Sequence, residues 1–168
     1  MTADKSFDLL VFDLYGTIGR EDEISPDLPE GQLRRGTKEL LMSMRKKGIK
    51  VVLFTDYPYP RHSDTERDQK FINNILVRMK IREYFDGIYT GSDCDGEFKD
   101  LDKISKDYGI SSSGILLIGN GDKDENSARR YGANFIRVPT YFKDELKDPD
   151  KDIRKMVGLS KWDYDNIR

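Results

Sequence analysis

The chain has 168 residues, 36% of them hydrophobic and 36% charged, and this length fits a single domain. Its 29 basic and 31 acidic residues give a formal net charge of −2, so no overall basic field favours nucleic acid or an anionic membrane. One cysteine excludes an internal disulfide, and no apolar run approaches the roughly 20 residues of a membrane helix. The first eight residues are too polar for a secretory signal, so we expect a soluble, cytoplasmic protein.

Strand-like and helix-like segments alternate along the chain. Continuous apolar blocks predict strands at 9–12, 51–54 and 115–118, since such blocks are typical of strands buried on both faces. Two weaker segments predict strands at 87–90 and 134–138. Apolar side chains at helical spacing predict helices at 32–47, 66–80, 101–108 and 124–131. The alternation predicts a doubly wound α/β domain, with a mainly parallel sheet and helices on both faces. We expect residues 1–142 to form this domain and 143–168 to form a charged helix or tail.

Polar residues follow three of the predicted strands. The first strand runs into Asp13-Leu14-Tyr15-Gly16-Thr17, the second into Thr55-Asp56, and the strand at 115–118 into a loop that runs from Gly119 to Asp124. Doubly wound sheets bind ligands at the carboxyl ends of their strands, where these loops would meet. Helix capping and turns explain one such loop, but three loops at one sheet edge indicate a functional site.

The segment Val11-Phe12-Asp13-Leu14-Tyr15-Gly16-Thr17 resembles the first motif of the haloacid dehalogenase-like hydrolases, most of which are phosphatases. The resemblance spans residues 7 to about 138 and implies a Rossmann-like fold. It implies that Asp13 is the nucleophile, which forms an aspartyl-phosphate, and that Thr55 binds the phosphoryl group. It also implies a lysine that steadies nucleophile and substrate; Lys99 is the match, with Lys103 one helical turn away as an alternative.

The same resemblance implies a Mg²⁺ site. Asp13, the backbone carbonyl of Tyr15 and Asp124 would supply oxygen ligands, and Asn120 stands where the family usually has Asp. A hard cation and a lysine would offset the negative charges of nucleophile and substrate. Asp122 would compensate for the neutral Asn120 if the loop turned it inward.

The predicted substrate is a phosphorylated compound. Thr55, Asp56 and Arg61 are its predicted binding residues, Arg61 because a guanidinium suits bidentate contact with an anion. The loop at 18–31 is too short for the helical cap of the larger family members, so we expect a capless, open site that accepts large or exposed substrates. No nucleic-acid or membrane partner is expected, and an oligomer is compatible with the sequence.

Tyr15 leaves two other functions open. Family phosphatases usually have an acidic residue here that protonates the leaving group; a phenol with a pKa near ~10 is a poor donor. Losing a general acid typically costs a factor of roughly 10²–10⁴ in rate. Tyrosine at this position also resembles the haloacid dehalogenases themselves, which use the same Asp nucleophile without metal. The third interpretation is a binding or regulatory protein with a weakened site, motivated by Tyr15 and Asn120 together.

Overall fold

The structure is a computed structural model that describes residues 7–20, 33–57, 64–141 and 152–157. Three single-turn 3₁₀ segments accompany its helices and strands. The elements in chain order are β1 (Leu9–Phe12), α1 (Thr37–Lys46), β2 (Lys50–Phe54), α2 (Thr65–Arg78), β3 (Gly87–Tyr89), β4 (Cys94–Asp95), β5 (Phe98–Lys99), α3 (Leu101–Tyr108), β6 (Ile115–Gly119), α4 (Asp122–Tyr131), β7 (Asn134–Arg137) and α5 (Ile153–Val157). No helix within these ranges is long and apolar enough to cross a membrane.

Five parallel strands form the main sheet in the order β3-β2-β1-β6-β7. The chain first builds outward from β1 to β2 and β3, then returns to the other side of β1 with β6 and β7. This reversal leaves a crevice beyond the carboxyl ends of β1 and β6, which is where such sheets bind ligands. The predicted doubly wound α/β fold is confirmed.

Side chains of the central strands alternate between two hydrophobic cores. On β1, Leu10 and Phe12 pack in the core that includes α1, α2 and α5, whereas Leu9 and Val11 pack in the core that includes α3 and α4. Because both faces of the sheet are covered, every residue of β1 is buried. Burial on both faces explains why the sequence of β1 is one continuous apolar block.

Most elements agree with their predicted bounds to within two residues, and two features differ more. Helix α1 begins at Thr37 and not at 32, because Leu33 forms a β-bridge with Gly19 and Gly36 has a φ of 82°. A small antiparallel hairpin of β4 and β5 was not predicted, since strands of two residues carry no measurable periodicity. The hairpin matters because Lys99 is its last residue.

Part of the predicted C-terminal tail packs on the domain. Ile153 and Val157 of α5 are buried in the same core as α1, and the backbone N–H of Ile153 donates to the carbonyl of Arg35 at 3.0 Å. Residues 21–31 of the predicted loop, Arg61, and the rest of the segment 143–168 lie outside the described residues.

Replacing Gly36 by alanine is expected to lower the free energy of unfolding by about 2–4 kcal/mol. Gly36 has a left-handed φ, and a Cβ there would overlap the carboxylate of Asp152, which accepts the Arg154 N–H at the start of α5. Gly48→Ala is the matched control, because Gly48 has a φ of 72° with nothing within 4 Å of the added carbon. Urea unfolding should show a loss of about 1–2 kcal/mol for the control; equal losses would contradict the Asp152 contact.

Candidate active site

A cleft of about 180 Å³ lies at the carboxyl ends of β1 and β6. Asp13 follows β1 directly, and its backbone N–H donates to the carbonyl of Ile118 on β6 at 3.0 Å. Six of the predicted site residues line the cleft: Asp13, Tyr15, Asp56, Lys99, Asn120 and Asp124. The topology therefore brings together residues that are more than 100 positions apart in sequence.

Lys99 lies between the two central carboxylates. Its Nζ donates to Asp13 Oδ1 at 2.9 Å and to Asp124 Oδ1 at 2.5 Å, and all three residues are buried. The hairpin is held on α4 because the backbone N–H of Lys99 donates to Ser127 Oγ at 2.9 Å. Lys103, the alternative lysine, is paired instead with Asp93 and is about half exposed. The geometry therefore favours Lys99 as the lysine of the site.

Burial and charge act against each other in this cluster. The pKa of the Asp13 carboxyl is raised to about 7, with burial as the largest cause; the nearby carboxylates of Asp124 and Asp56 also raise it, and Lys99 lowers it. Burial by itself lowers the pKa of the Lys99 ammonium, but Asp124 and Asp13 outweigh burial and hold that pKa above its ordinary value. The Lys99 side chain is therefore protonated. A further positive charge beside Asp13 would favour the ionised form of the Asp13 carboxyl.

The second oxygen of Asp13 is held from the loop that follows it. Thr17 Oγ1 donates to Asp13 Oδ2 at 3.1 Å, and the side-chain amide of Asn120 lies against the same oxygen. One terminal atom of that amide is 2.8 Å from Asp13 Oδ2 and 3.1 Å from the carbonyl oxygen of Tyr15. Thr17, which sequence reasoning did not single out, is thus a direct partner of the predicted nucleophile.

Asp124 reaches the cleft from the first turn of α4. Its Oδ2 accepts the backbone N–H of Gly121 at 3.3 Å, while its Oδ1 bonds to Lys99. A Cβ at position 119 would overlap the Asp124 carboxylate, so only glycine allows this approach. The requirement for Gly119 could not be predicted, because it arises from the packing of β6 against α4.

Asp122 does not face the cleft. Its Oδ1 accepts from Arg137 Nη2 at 2.7 Å, and its side chain is 88% exposed. The condition under which Asp122 would compensate for the neutral Asn120, a loop that turns Asp122 inward, is therefore not met. Arg137 also binds Glu125 at 2.8 Å, and it holds both carboxylates on the outer side of α4.

Tyr15 lines the cleft, and its carbonyl oxygen lies 3.1 Å from the Asn120 amide. The hydroxyl is buried and has no hydrogen-bond partner among the described residues. Its ring packs edge-on against Tyr57, with ring centroids 5.6 Å apart. Burial raises the pKa of this phenol above its ordinary value, and Tyr57 adds to the shift. Tyr15 is thus poorly placed to donate a proton, and what it offers the site is its carbonyl oxygen.

The residues after β2 divide into two groups. Thr55 is buried beside the cleft but is not among its lining residues, and its Oγ1 accepts the backbone N–H of Tyr57 at 3.3 Å. Asp56 lines the cleft and accepts from Lys123 Nζ at 3.4 Å. Lys123 is a cationic residue of the cleft that sequence reasoning missed. Its only signal was its place between Asp122 and Asp124 in a loop already expected to bind metal.

The donor set of the cleft fits a hard cation. Asp13 and Asp124 bring two carboxylates, while Tyr15 and Asn120 can add neutral oxygens, all of them ligand types that Mg²⁺ prefers. The described ranges contain no group of three His, Cys, Asp or Glu suited to a metal, so neutral oxygens and water would have to complete the shell. The charges of Lys99 and the two carboxylates sum to one net negative charge. A bound dication would change this to one net positive charge.

Solved structures of other proteins share this fold. A putative β-phosphoglucomutase from Thermotoga maritima has a TM-score of 0.63 at 13% identity, covering 82% of this chain and 88% of its own. CbbY from Rhodobacter sphaeroides, in complex with phosphate, has a TM-score of 0.61 at 12% identity, covering 80% and 87%. The core domain of a putative phosphoglycolate phosphatase from Streptococcus pneumoniae has a TM-score of 0.53 at 19% identity, covering 82% and 85%. No curated protein matches the chain significantly.

Fold and site together define a doubly wound α/β protein with a buried carboxylate–lysine cluster at the reversal point of its sheet. Residues 22–138 match the family model of the haloacid dehalogenase-like hydrolases. The chain belongs to this family.

Proposed function

We propose that the protein is a Mg²⁺-dependent phosphatase that hydrolyses a phosphomonoester through an aspartyl-phosphate on Asp13. The observation that carries the proposal is the pair of contacts that hold this buried carboxylate. Lys99 donates to one of its oxygens at 2.9 Å, and Thr17 donates to the other at 3.1 Å. A carboxylate fixed at the mouth of the crevice is positioned as a nucleophile.

The proposed reaction has two displacement steps. The Asp13 carboxylate attacks phosphorus, an oxygen–phosphorus bond forms, and the bond to the leaving oxygen breaks. Water then attacks the phosphorus of the aspartyl-phosphate, which releases inorganic phosphate and restores the Asp13 carboxylate. Lys99 stays protonated through both steps and offsets the negative charge on nucleophile and phosphoryl group. Lys123, at the rim of the same cleft, adds a second positive charge.

Mg²⁺ would be held by Asp13, the Tyr15 carbonyl, Asn120 and Asp124, and it would supply positive charge that draws anionic substrate and nucleophile together. Two points support this assignment: the oxygen-rich donor set and the net negative charge that remains after Lys99 is counted.

The leaving group of the substrate would extend into a neighbouring groove. This groove has a volume of about 680 Å³ and shares Asp56 and Lys123 with the cleft. Phe98 of the hairpin and Arg130 of α4 line it, with the guanidinium 4.5 Å from the ring centroid. A cleft of 180 Å³ holds little beyond a phosphoryl group, so a larger phosphorylated substrate needs this space. The phosphate complex of the Rhodobacter relative is consistent with a phosphorylated substrate.

A second candidate is a haloacid dehalogenase reaction on the same Asp13. It is favoured by one observation: the Asn120 amide can satisfy Asp13 and the Tyr15 carbonyl with hydrogen bonds, without a cation. A departing halide also needs no proton, which suits a site where the Tyr15 hydroxyl is buried.

Aryl phosphates are expected to be hydrolysed faster than alkyl phosphates, by roughly 10²-fold or more, because an aryl oxide leaves without a proton donor. The measurement is release of phosphate from phenyl phosphate and from a simple alkyl phosphate, each with Mg²⁺ and with a chelator. Hydrolysis should require Mg²⁺. Halide release from a haloacid in the presence of chelator would favour the dehalogenase, and absence of both reactions would favour a binding protein.

A further inference from the structure

The two ends of the Asn120 side-chain amide face different groups: acceptor oxygens and a hydroxyl on one side, and a second hydroxyl on the other. One terminal atom of its amide faces Asp13 Oδ2 at 2.8 Å, the Tyr15 carbonyl oxygen at 3.1 Å and Thr17 Oγ1 at 3.1 Å. The other terminal atom faces Thr140 Oγ1 at 3.1 Å. A half-turn of the amide exchanges its nitrogen and oxygen between these two places.

The partners of Asn120 allow both orientations, but under different conditions. The hydroxyls of Thr17 and Thr140 can donate or accept, so they satisfy either orientation. The Asp13 carboxylate and the Tyr15 carbonyl can only accept. Without a cation, and with Asp13 ionised, the amide therefore turns its NH₂ group toward them, because an oxygen at the same place would meet two other oxygens with no hydrogen between them.

A cation reverses this preference. Neighbouring ligands of Mg²⁺ lie about 3 Å apart, since octahedral Mg²⁺ binds oxygen at roughly 2.0–2.1 Å. The spacings of 2.8 Å and 3.1 Å from the amide atom to Asp13 Oδ2 and to the Tyr15 carbonyl oxygen match that separation. With Mg²⁺ present, an amide oxygen at this place becomes a ligand, and Thr140 can accept from the outward NH₂ group.

We infer that Asn120 is a cation-dependent amide switch: its NH₂ group holds Asp13 and the Tyr15 carbonyl when the site has no cation, and its Oδ1 binds Mg²⁺ after a half-turn. The inference rests on the proposed function, because it takes Mg²⁺ as the cation of this site. An Asp at this position could only bind the metal. Without metal it would add a third carboxylate to those of Asp13 and Asp124, in contact with Asp13. The Asn keeps the metal-free site satisfied, and Mg²⁺ must displace its hydrogen bonds in order to bind.

The test is to follow the Asn120 side-chain NH₂ signals by NMR during a Mg²⁺ titration at mildly alkaline pH. These signals are identified by their loss in Asn120→Asp. We expect them to shift as Mg²⁺ binds, because both protons leave their acceptors on Asp13 and Tyr15. Asp122→Asn, which removes an outward-facing carboxylate two residues further along the chain, should leave this shift unchanged. Unchanged Asn120 signals at saturating Mg²⁺ would overturn the switch.

Asn120→Asp gives an independent readout. Its Mg²⁺ dissociation constant should fall by roughly tenfold or more, because ligand charge tunes cation affinity. Its metal-free thermal midpoint should also fall below that of wild type, because two carboxylates then lie in contact. An equal or weaker Mg²⁺ affinity in Asn120→Asp would overturn the inference.

Failure of the switch and failure of the proposed function give different results. If Mg²⁺ binds and phenyl phosphate is hydrolysed while the Asn120 signals stay fixed, only the switch is wrong. If neither titration nor thermal unfolding shows any Mg²⁺ binding, both the switch and the metal-dependent phosphatase are wrong.

Discussion

Replacing Asp13 by asparagine is expected to lower turnover of phenyl phosphate by at least about a thousandfold, because the variant lacks the carboxylate that attacks phosphorus. The fold should persist, since Lys99 keeps its 2.5 Å contact with Asp124. The asparagine is nearly the same size as the residue it replaces, and the position is only 7% exposed. Steady-state kinetics with Mg²⁺, together with thermal unfolding, measures both effects.

Asp122→Asn is the matched control for this variant. It makes the same chemical change at the first residue of α4, where the Asp122 carboxylate is bound to Arg137 on the outer side of the helix. Its turnover should stay close to that of wild type. Similar rates for Asp13→Asn and wild type would rule out Asp13 as the nucleophile, whatever the substrate.

Replacing Lys99 by methionine is expected to lower both stability and activity. The change leaves the buried carboxylates of Asp13 and Asp124 together without their shared cation, and breaking a buried ion pair in this way costs about 3–5 kcal/mol. Turnover should fall by roughly a hundredfold or more, because charge stabilisation at the phosphoryl group is lost. Urea unfolding and kinetics with saturating Mg²⁺ measure the two losses.

Lys103→Met separates this effect from a general loss of positive charge. The Lys103 ammonium pairs with Asp93 away from the cleft, and its side chain is 45% exposed. Asp93 is only 2% exposed, but it also accepts the backbone N–H of Thr90 and its cation lies partly in solvent, so this variant should lose less stability than Lys99→Met and should keep its activity. If the two substitutions cost the same stability and activity, the assignment of Lys99 to the site would be wrong.

The sequence predicted the architecture well, and the physical reason lies in how the strands are buried. Strands β1, β2 and β6 are covered on both faces, so nearly all their residues are apolar and stand out from the helices between them. Helix α3 was predicted with the bounds it has, because Asp100 caps its start and Gly109 ends it in the left-handed conformation. The first residue of α1, which follows Gly36, depends on longer-range contacts and could not be predicted from the local sequence.

The sequence also placed most of the candidate site. Asp13, Asn120 and Asp124 follow strands β1 and β6, and neighbouring parallel strands carry such residues to one edge. Lys99 was less certain beside Lys103, because both lie near the start of one helix. Lys99 lies in the site and Lys103 does not because of the hairpin that ends at Lys99. Local sequence patterns do not reveal this hairpin.

By itself, the sequence determined the order of strands and helices and the family to which the chain belongs, because burial on two faces and a strand-end motif are local patterns. Only the tertiary structure decided which partner each charged side chain has. Asp122 turns outward to Arg137, Lys123 reaches Asp56, and the Tyr15 ring packs edge-on against Tyr57. These outcomes depend on distances of a few ångströms between segments remote in sequence, and electrostatic and hydrogen-bond energies change over that range.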